Sequence, residues 1–394
     1  MPEVPEEVKR GRKLVEQTKN GPWPSYIKES EKTRYPLDLY AAALDLKRVL
    51  WTTGGYVSVP GVPTGILMRV TSRPDIGENA NVVRVLLPSG NFVTSDMLEK
   101  YADFADKYGV GMLHALTCSH NMEIPGIPKE RVRDFATEFK AAGFEVGSTG
   151  DAFRNTTVCV GPALCEYAGV DTLGARDRFY DRFNDYAKYP TFPHKIKLKI
   201  SGCPLDCARA SQKACIGFIG TWEGGPDMDE SRVRALGPAT LDAITHACPT
   251  GAIERQDGGV TVKGEDCIQC MKCVRMSQGA FSPGKHRQIQ IVVGGKLRGK
   301  KGPLISKSLC RVDTEQEAFD ILDRIVNVFQ EHSARKERLG DTLFRIGMKG
   351  FLDLMGMKPD AAMVKDLRTN IFYGVTDEEK EKQPREIKTA VGGG

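Results

Sequence analysis

The chain has 394 residues, of which 40% are hydrophobic and 27% charged, and its 56 Lys and Arg against 51 Asp and Glu leave a formal net charge of +5. This is the balance of a soluble, core-forming protein of roughly two or three domains at about 150 residues each. The positive excess is too small on this length to indicate nucleic-acid binding, and no apolar run approaches the roughly 18 residues of a membrane-spanning helix. The charged start, MPEVPEEVKRGRK, lacks the apolar stretch of an export signal, so a cytoplasmic location is expected.

Residues 1–50 read as polar helical segments around a Gly21-Pro22-Trp23-Pro24 turn. Between 51 and 95 the stretches VSVPGV, GILMRV and NVVRVLL are rich in branched residues and separated by Gly, Pro and Asn, which predicts strands. SDMLEKYADFADKYG then has the spacing of a helix, with Ser95 as a cap, Met97, Leu98, Tyr101 and Phe104 along one side, and a stop at Gly109. LHALTCSHNMEIPGI returns to strand, and PKERVRDFATEFKAAG to helix, with Pro near its start and Gly at its end. Such mixed units predict an α+β fold. A Cys-rich stretch occupies 238–284. From 315 the chain is helical, with Phe319, Leu322, Ile325, Val326 and Phe329 on one face. The end, TDEEKEKQPREIKTAVGGG, is polar and expected to be flexible.

Eleven cysteines without an export signal point to thiolate–metal chemistry rather than disulfides. Cys267-x2-Cys270-x2-Cys273 suits three corners of an iron–sulfur cubane, and Cys248, followed by Pro249, suits the remote fourth. Zinc more often uses two separate Cys-x2-Cys pairs, so a [4Fe–4S] cluster is the better reading. The segment resembles one half of a bacterial-type ferredoxin, which implies one-electron transfer. A second set is Cys159-x5-Cys165 with Cys203-x3-Cys207. Neither pair is strong alone; together, in this order, they resemble the motif that holds the coupled [4Fe–4S]–sirohaem centre of sulfite and nitrite reductases. Cys118, Cys215 and Cys310 fall outside both sets and read as buried thiols.

With these motifs, the GPWPS stretch and the C-terminal LGDTLFRIGMKGFLDLMG, the chain resembles the α subunit family of dissimilatory sulfite reductases. The resemblance implies two ferredoxin-like halves of the sulfite reductase fold, an inserted ferredoxin domain and a helical C-terminal tail. The expected division is 1–50, a helical segment; 51–128, the first half; 129–237 continued in 285–330, the sirohaem/[4Fe–4S] domain; 238–284, the ferredoxin; and 331–394, helices and tail. It implies sirohaem, two [4Fe–4S] clusters, and Cys207 as the thiolate shared with the haem iron. Lys195, Lys197 and Lys199 would share one face of a strand. Lys195 and Lys197 resemble the family's sulfite-binding lysines and proton donors, and Arg84 and Arg154 its substrate arginines. Lys199 and the basic loop Gly294-Gly295-Lys296-Leu297-Arg298-Gly299-Lys300-Lys301 would meet the carboxylates of the cofactor.

One stretch departs from the family. Thr117-Cys118-Ser119-His120 stands where members with active sirohaem often carry Thr-Thr-Arg-Gln, so Ser119 replaces a haem-contacting arginine, and His114 and His120 are candidate substitutes. Two readings remain open: a subunit contributing to a working site that reduces sulfite by six electrons, or an electron-transfer and scaffolding subunit whose own haem is inactive. Nitrite reduction, an assimilatory role and the reverse, sulfur-oxidising direction also stay open. The implied partners are a β subunit in an α2β2 assembly and a small cysteine-bearing sulfur-carrier protein.

Overall fold

The computed structural model describes residues 55–58, 65–70, 81–116, 121–298 and 302–359, with isolated positions before 17 and after 368. The readings of the N-terminal segment, of Cys118, Ser119 and His120, of Lys300 and Lys301 and of the polar tail lie outside the described residues. The chain divides into two compact units, one of residues 1–86 and 93–147, the other of 87–92 and 148–394.

In the first unit, β1 (Gly55–Ser58), β2 (Ile66–Val70), β3 (Asn81–Val85), β4 (His114–Leu116) and β5 (Asn121–Ile127) form an antiparallel sheet of order β1-β2-β3-β5-β4. Helix α1 (Ser95–Tyr108) is capped by Thr94, whose hydroxyl accepts from the Met97 amide at 3.2 Å; the cap falls one residue before the predicted Ser95. Helix α2 (Val132–Ala141) faces it through aromatic contacts, Phe104 meeting Phe135 and Phe139 edge-on at 5.7 and 5.1 Å. These contacts hold α2 in the first unit, so the boundary falls at 147/148, later than the 128/129 read from the sequence.

The second unit is built on β6 (Thr157–Val158), helix α3 (Thr172–Lys188), β7 (Leu198–Ser201), the short helix α4 (Ala210–Lys213) and β8 (Ile216–Trp222). A small lobe follows: β9 (Asp227–Met228), α5 (Glu230–Ala235), α6 (Pro238–Ala247), the hairpin β10 (Ile253–Gln256) and β11 (Gly259–Val262), α7 (Lys272–Met276) and β12 (Phe281–Ser282). The chain then returns through β13 (Arg287–Val293) and β14 (Lys307–Val312) to helices α8 (Glu315–His332) and α9 (Leu339–Leu354). The main sheet has the order β14-β13-β8-β7-β6, with β6, β7 and β8 parallel and β13 antiparallel to both its neighbours.

Side chains alternate across this sheet, and the two faces differ. Ile196, Leu198 and Ile200 join Phe218 in a core with Phe179 and Phe183 of α3 and Phe319, Leu322 and Phe329 of α8. Each such Phe, when fully buried, stabilises the fold by roughly 1.5–3 kcal/mol. The odd-numbered residues of the 195–201 segment lie on the opposite face. The lobe has its own core of Trp222, Val233, Leu241, Ile244, Val260 and Phe281, which lets it pack as a separate body on the end of β8 and β13. Helix α8 opens with a capping box between Thr314 and Glu317. The helical reading from 315 breaks at Ser333, an extended residue, and α9 begins after Arg338.

Candidate metal and anion centres

The parallel register sets the first cysteine group. Thr157 pairs with Lys199 and Val158 with Ile200, so Cys159 and the turn Ser201-Gly202-Cys203 leave adjacent strands at their carboxyl ends. That is where open α/β sheets bind their ligands. The Gly202 amide donates to the Cys159 sulfur at 3.2 Å. The turn can lie on β8 because residue 220 is glycine; a Cβ there would stand 2.1 Å from the Gly202 carbonyl oxygen. Cys207 is reached through Asp206, in the left-handed region at φ 50°. Its carboxylate accepts from the Ser201 hydroxyl (2.7 Å), the Ala210 amide (2.7 Å), the Ser211 amide (2.9 Å) and the Ser211 hydroxyl (2.7 Å), which knits the 203–211 loop to β7 and α4.

Burial pushes the Cys203 thiol up to about 11, with Cys165, Cys207 and Cys159 adding to the rise. Cys207 is raised by burial and then by Cys159 and Cys165. Burial and these neighbouring sulfurs both disfavour the thiolates, which a bound cation would stabilise.

In the lobe, Gln269 and Met271 both take positive φ, 51° and 65°, and so curl the chain between Cys267, Cys270 and Cys273. The Gln269 amide donates to the Cys267 sulfur at 3.4 Å, and its side chain donates to the Gly224 carbonyl at 3.2 Å. All four cysteines, 248, 267, 270 and 273, line one pocket walled by Trp222 and Ile268. Burial raises Cys273 to about 11. Burial also acts to raise Cys248, but hydrogen bonds from Thr250 and the amides of Ile253 and Ala252 outweigh it and hold this thiol below its usual value. Among the described residues no three His, Cys, Asp or Glu side chains converge as a single bound ion would require. The four lobe thiols share one pocket, and their Cys-x2-Cys-x2-Cys run with a remote Cys-Pro is the spacing that suits a polynuclear cluster.

The predicted cations fall into two groups. In the first unit, Arg84, Glu123 and His114 form one row across β3, β5 and β4, since Arg84 and His114 are both register partners of Glu123. Arg84 Nε donates to Glu123 at 2.9 Å, and His114 Nδ1 lies 3.2 Å from the other carboxylate oxygen. Burial would raise Glu123, but its bonds to His114 and Arg84 prevail and its carboxyl is held below the usual range. The bond to Glu123 raises His114. Sequence reasoning missed Glu123 because nothing local links it to Arg84.

In the second unit, the Arg154 amide donates to the Ile196 carbonyl at 2.9 Å, which seats Arg154 beside the lysine segment. Lys195 and Lys197 are half-buried, and Lys199 is buried, with its ammonium donating to the Ala208 carbonyl at 2.8 Å. Burial first, then the positive charges of Arg154, Arg338 and Lys197, push Lys195 down to about 8. No hydrogen bond or ion pair to the Lys195 ammonium is found among the described residues.

Lys296 is placed differently from its predicted role. Its side chain is fully enclosed and paired with Asp341 of α9 at 2.5 Å. Its charge is therefore matched inside the chain and does not face an external anion. The glycine at 340 has a packing role, because a Cβ there would stand 2.2 Å from the Gly294 carbonyl oxygen. Arg298 is exposed, and Cys215 and Cys310 are buried as expected.

Two sheets of ferredoxin-like halves, four thiols at the carboxyl ends of parallel strands and a cationic face beside them define a class. The family model "Nitrite and sulphite reductase 4Fe-4S domain" matches residues 149–360, and "Nitrite/Sulfite reductase ferredoxin-like half domain" matches residues 76–142. The chain belongs to the nitrite and sulphite reductase family and is an oxidoreductase of that family. Within it, the chain is similar to the dissimilatory-type sulfite reductase α subunit of Allochromatium vinosum, 28% identical over 92% of this chain and 94% of the relative. It is also similar to the dissimilatory-type β subunit of Archaeoglobus fulgidus, 26% identical over 79% of this chain and 87% of the relative. A crystal structure of dissimilatory sulfite reductase I shares the fold, with a TM-score of 0.76 at 23% identity, covering 93% of this chain and 95% of that one. No helix among the described residues is long and apolar enough to cross a membrane.

Proposed function

We propose that the chain is the α subunit of a dissimilatory-type sulfite reductase, which reduces sulfite by six electrons to sulfide, or by fewer to a protein-bound sulfur. The observation that carries this reading is the union, on one body, of two four-cysteine groups with an uncompensated lysine on the neighbouring face. Cys159, Cys165, Cys203 and Cys207 would hold one [4Fe–4S] cluster, with Cys207, the exposed member, available to a sirohaem iron. Cys248, Cys267, Cys270 and Cys273 would hold a second cluster in a ferredoxin-type lobe. When bound, the coupled centre supplies electrons one at a time to the sulfur of sulfite.

The chain's own residues prepare the anion. Arg154, Lys195 and Lys197 gather positive charge that suits an oxyanion or a carboxylate. In the first unit, Arg84 is a guanidinium held in one orientation by the bond from its Nε to Glu123. Lys195, pushed down to about 8, is poised to exchange a proton near neutral pH. The lobe supports a relay role: Trp222, the last residue of β8, walls its thiol cavity, and β8 ends on the same side of the sheet as the strands that lead to Cys159 and Cys203. Tyr167, two residues from Cys165, packs against the lobe core. A β subunit in an α2β2 assembly and a small sulfur-carrier protein complete the proposal.

The test is the anaerobically purified complex. Iron for two clusters per chain, tetrapyrrole absorbance and a sulfite-induced spectral change are expected. Lys197→Ala should abolish turnover with both clusters intact. Zinc in place of iron, or unchanged turnover in that variant, would reject the assignment.

A further inference from the structure

Charge accounting around Lys195 exposes a residue that the sequence reading did not single out. The loop between α8 and α9 is fastened to the segment that precedes Lys195: the Lys336 amide donates to the Pro193 carbonyl at 2.9 Å, and the Lys336 ammonium bonds Asp151 at 2.6 Å. Asp151 also holds His194 at 3.0 Å. This docking brings Arg338, the N-cap residue of α9, close enough for its charge to act on both His194 and Lys195.

Each carboxylate nearby is already engaged with another cation. Asp151 is shared by His194 and Lys336. Glu337 takes two bonds from Arg345 at 2.9 Å, together with the Ala334 amide and the Thr342 hydroxyl. Asp341 is consumed by Lys296. Arg338 is half-buried, yet no hydrogen bond or ion pair to its side chain is found among the described residues, and it makes no side-chain cap to its own helix. A guanidinium offers five donors in a planar fork that matches an oxyanion. Two cations within electrostatic reach of each other, neither with a counter-charge among the described residues and one of them at the amino end of a 16-residue helix, are arranged for a negative group from outside the chain.

We propose that Arg338 is a further ligand of the anion site at Lys195, donating to an oxyanion that is either a sulfite oxygen or a carboxylate of the tetrapyrrole. The inference rests on the sulfite reductase reading. It extends that site to a second segment of the chain, from the 195–199 strand to the start of α9.

The test uses the purified αβ complex with Arg338→Ala and Arg338→Lys, beside Lys195→Ala as a control on the site itself. Sirohaem per αβ pair is read from absorbance, and sulfite affinity from an equilibrium spectral titration. Removing one charge-assisted contact is expected to weaken the oxyanion about 10- to 100-fold. If sulfite is the ligand, haem content stays whole, sulfite affinity falls by that factor in Arg338→Ala, and Arg338→Lys recovers part of it. If a haem carboxylate is the ligand, Arg338→Ala is isolated with reduced sirohaem while its cysteine-bound iron is unchanged. Wild-type haem content together with wild-type sulfite affinity in Arg338→Ala overturns the proposal. Should Lys195→Ala leave sulfite affinity unchanged while Arg338→Ala loses haem, the substrate reading of Lys195 fails and the Arg338 contact survives. Loss of affinity in Lys195→Ala, with both haem content and sulfite affinity at wild-type level in Arg338→Ala, refutes Arg338 and leaves the site.

Discussion

Replacing Lys195 by Met tests the charge logic of the anion face directly. The lysine's fall from 10.5 to about 8 corresponds to at most about 3 kcal/mol of disfavour for its ammonium, since one pKa unit is about 1.4 kcal/mol. Burial contributes most, followed by Arg154, Arg338 and Lys197. In the anion-free protein this lysine is charged below about pH 8 and loses its charge above it, whereas in the unfolded chain it stays charged to about 10.4. The unfolded state therefore binds more protons between these values, and the lysine's penalty on folding is full below pH 8 and is relieved as pH rises toward 10. A bound anion reverses the preference and favours the ammonium. The contribution of Lys195 to sulfite affinity should then be full and independent of pH below about pH 8, and fall above it by up to tenfold per pH unit. The assay is an equilibrium spectral titration of wild type and Lys195→Met from pH 6 to 9.5. The ionisation of sulfite itself affects both proteins equally and cancels in the ratio of their dissociation constants. That ratio should be large and flat at low pH and shrink above pH 8. A ratio independent of pH, or a variant that binds sulfite as tightly as wild type, would refute the reasoning.

Asp206→Ala removes four hydrogen bonds and leaves a left-handed residue without a stabilising side chain, so it should cost about 2–4 kcal/mol and release iron from the sheet-end site while the lobe retains its own, measured as iron per chain and by cluster EPR. Cys270→Ala should have the converse effect, removing the lobe iron and slowing electron entry while sulfite still perturbs the haem spectrum. Lys296→Met strands a buried carboxylate and should destabilise by about 3–5 kcal/mol; adding Asp341→Leu should restore most of it, as read by thermal unfolding. If the double variant recovers stability but not sirohaem, Lys296 contacts the cofactor after all.

Local patterns carried much of the architecture. The strand and helix stretches are visible because burial on one side of an element leaves a period, and Phe319, Leu322, Ile325, Val326 and Phe329 are all buried as their spacing implies. The lysine row at 195, 197 and 199 follows from the same alternation. Cysteine spacing marked the lobe thiols, since a ligand loop must close over a few residues, whereas Cys159, Cys165, Cys203 and Cys207 stood out only through their resemblance to a family motif. What stayed hidden depends on contacts between distant segments. Asp206 and Glu123 look like ordinary surface acids until the fold supplies their partners. Lys296 reads as a free cation because Asp341 lies 45 positions away. Arg338 shares the ordinary charged texture of SARKERLG, and only the docking of that loop on Pro193 sets it apart. The boundary at 147 was equally invisible, because aromatic packing between α1 and α2 defines it.

Strands β8 and β13 remain paired to their ends, with Arg287 opposite Trp222 and the Glu223 amide donating to the His286 carbonyl at 3.0 Å. The lobe therefore leaves and re-enters the sheet at two points that already touch. A short turn between them would close the hairpin without altering its register, so such a module can be gained or shed as a unit. Such a gain or loss would leave the pairing of β8 with β13, and the strand ends that carry Cys159 and Cys203, in place.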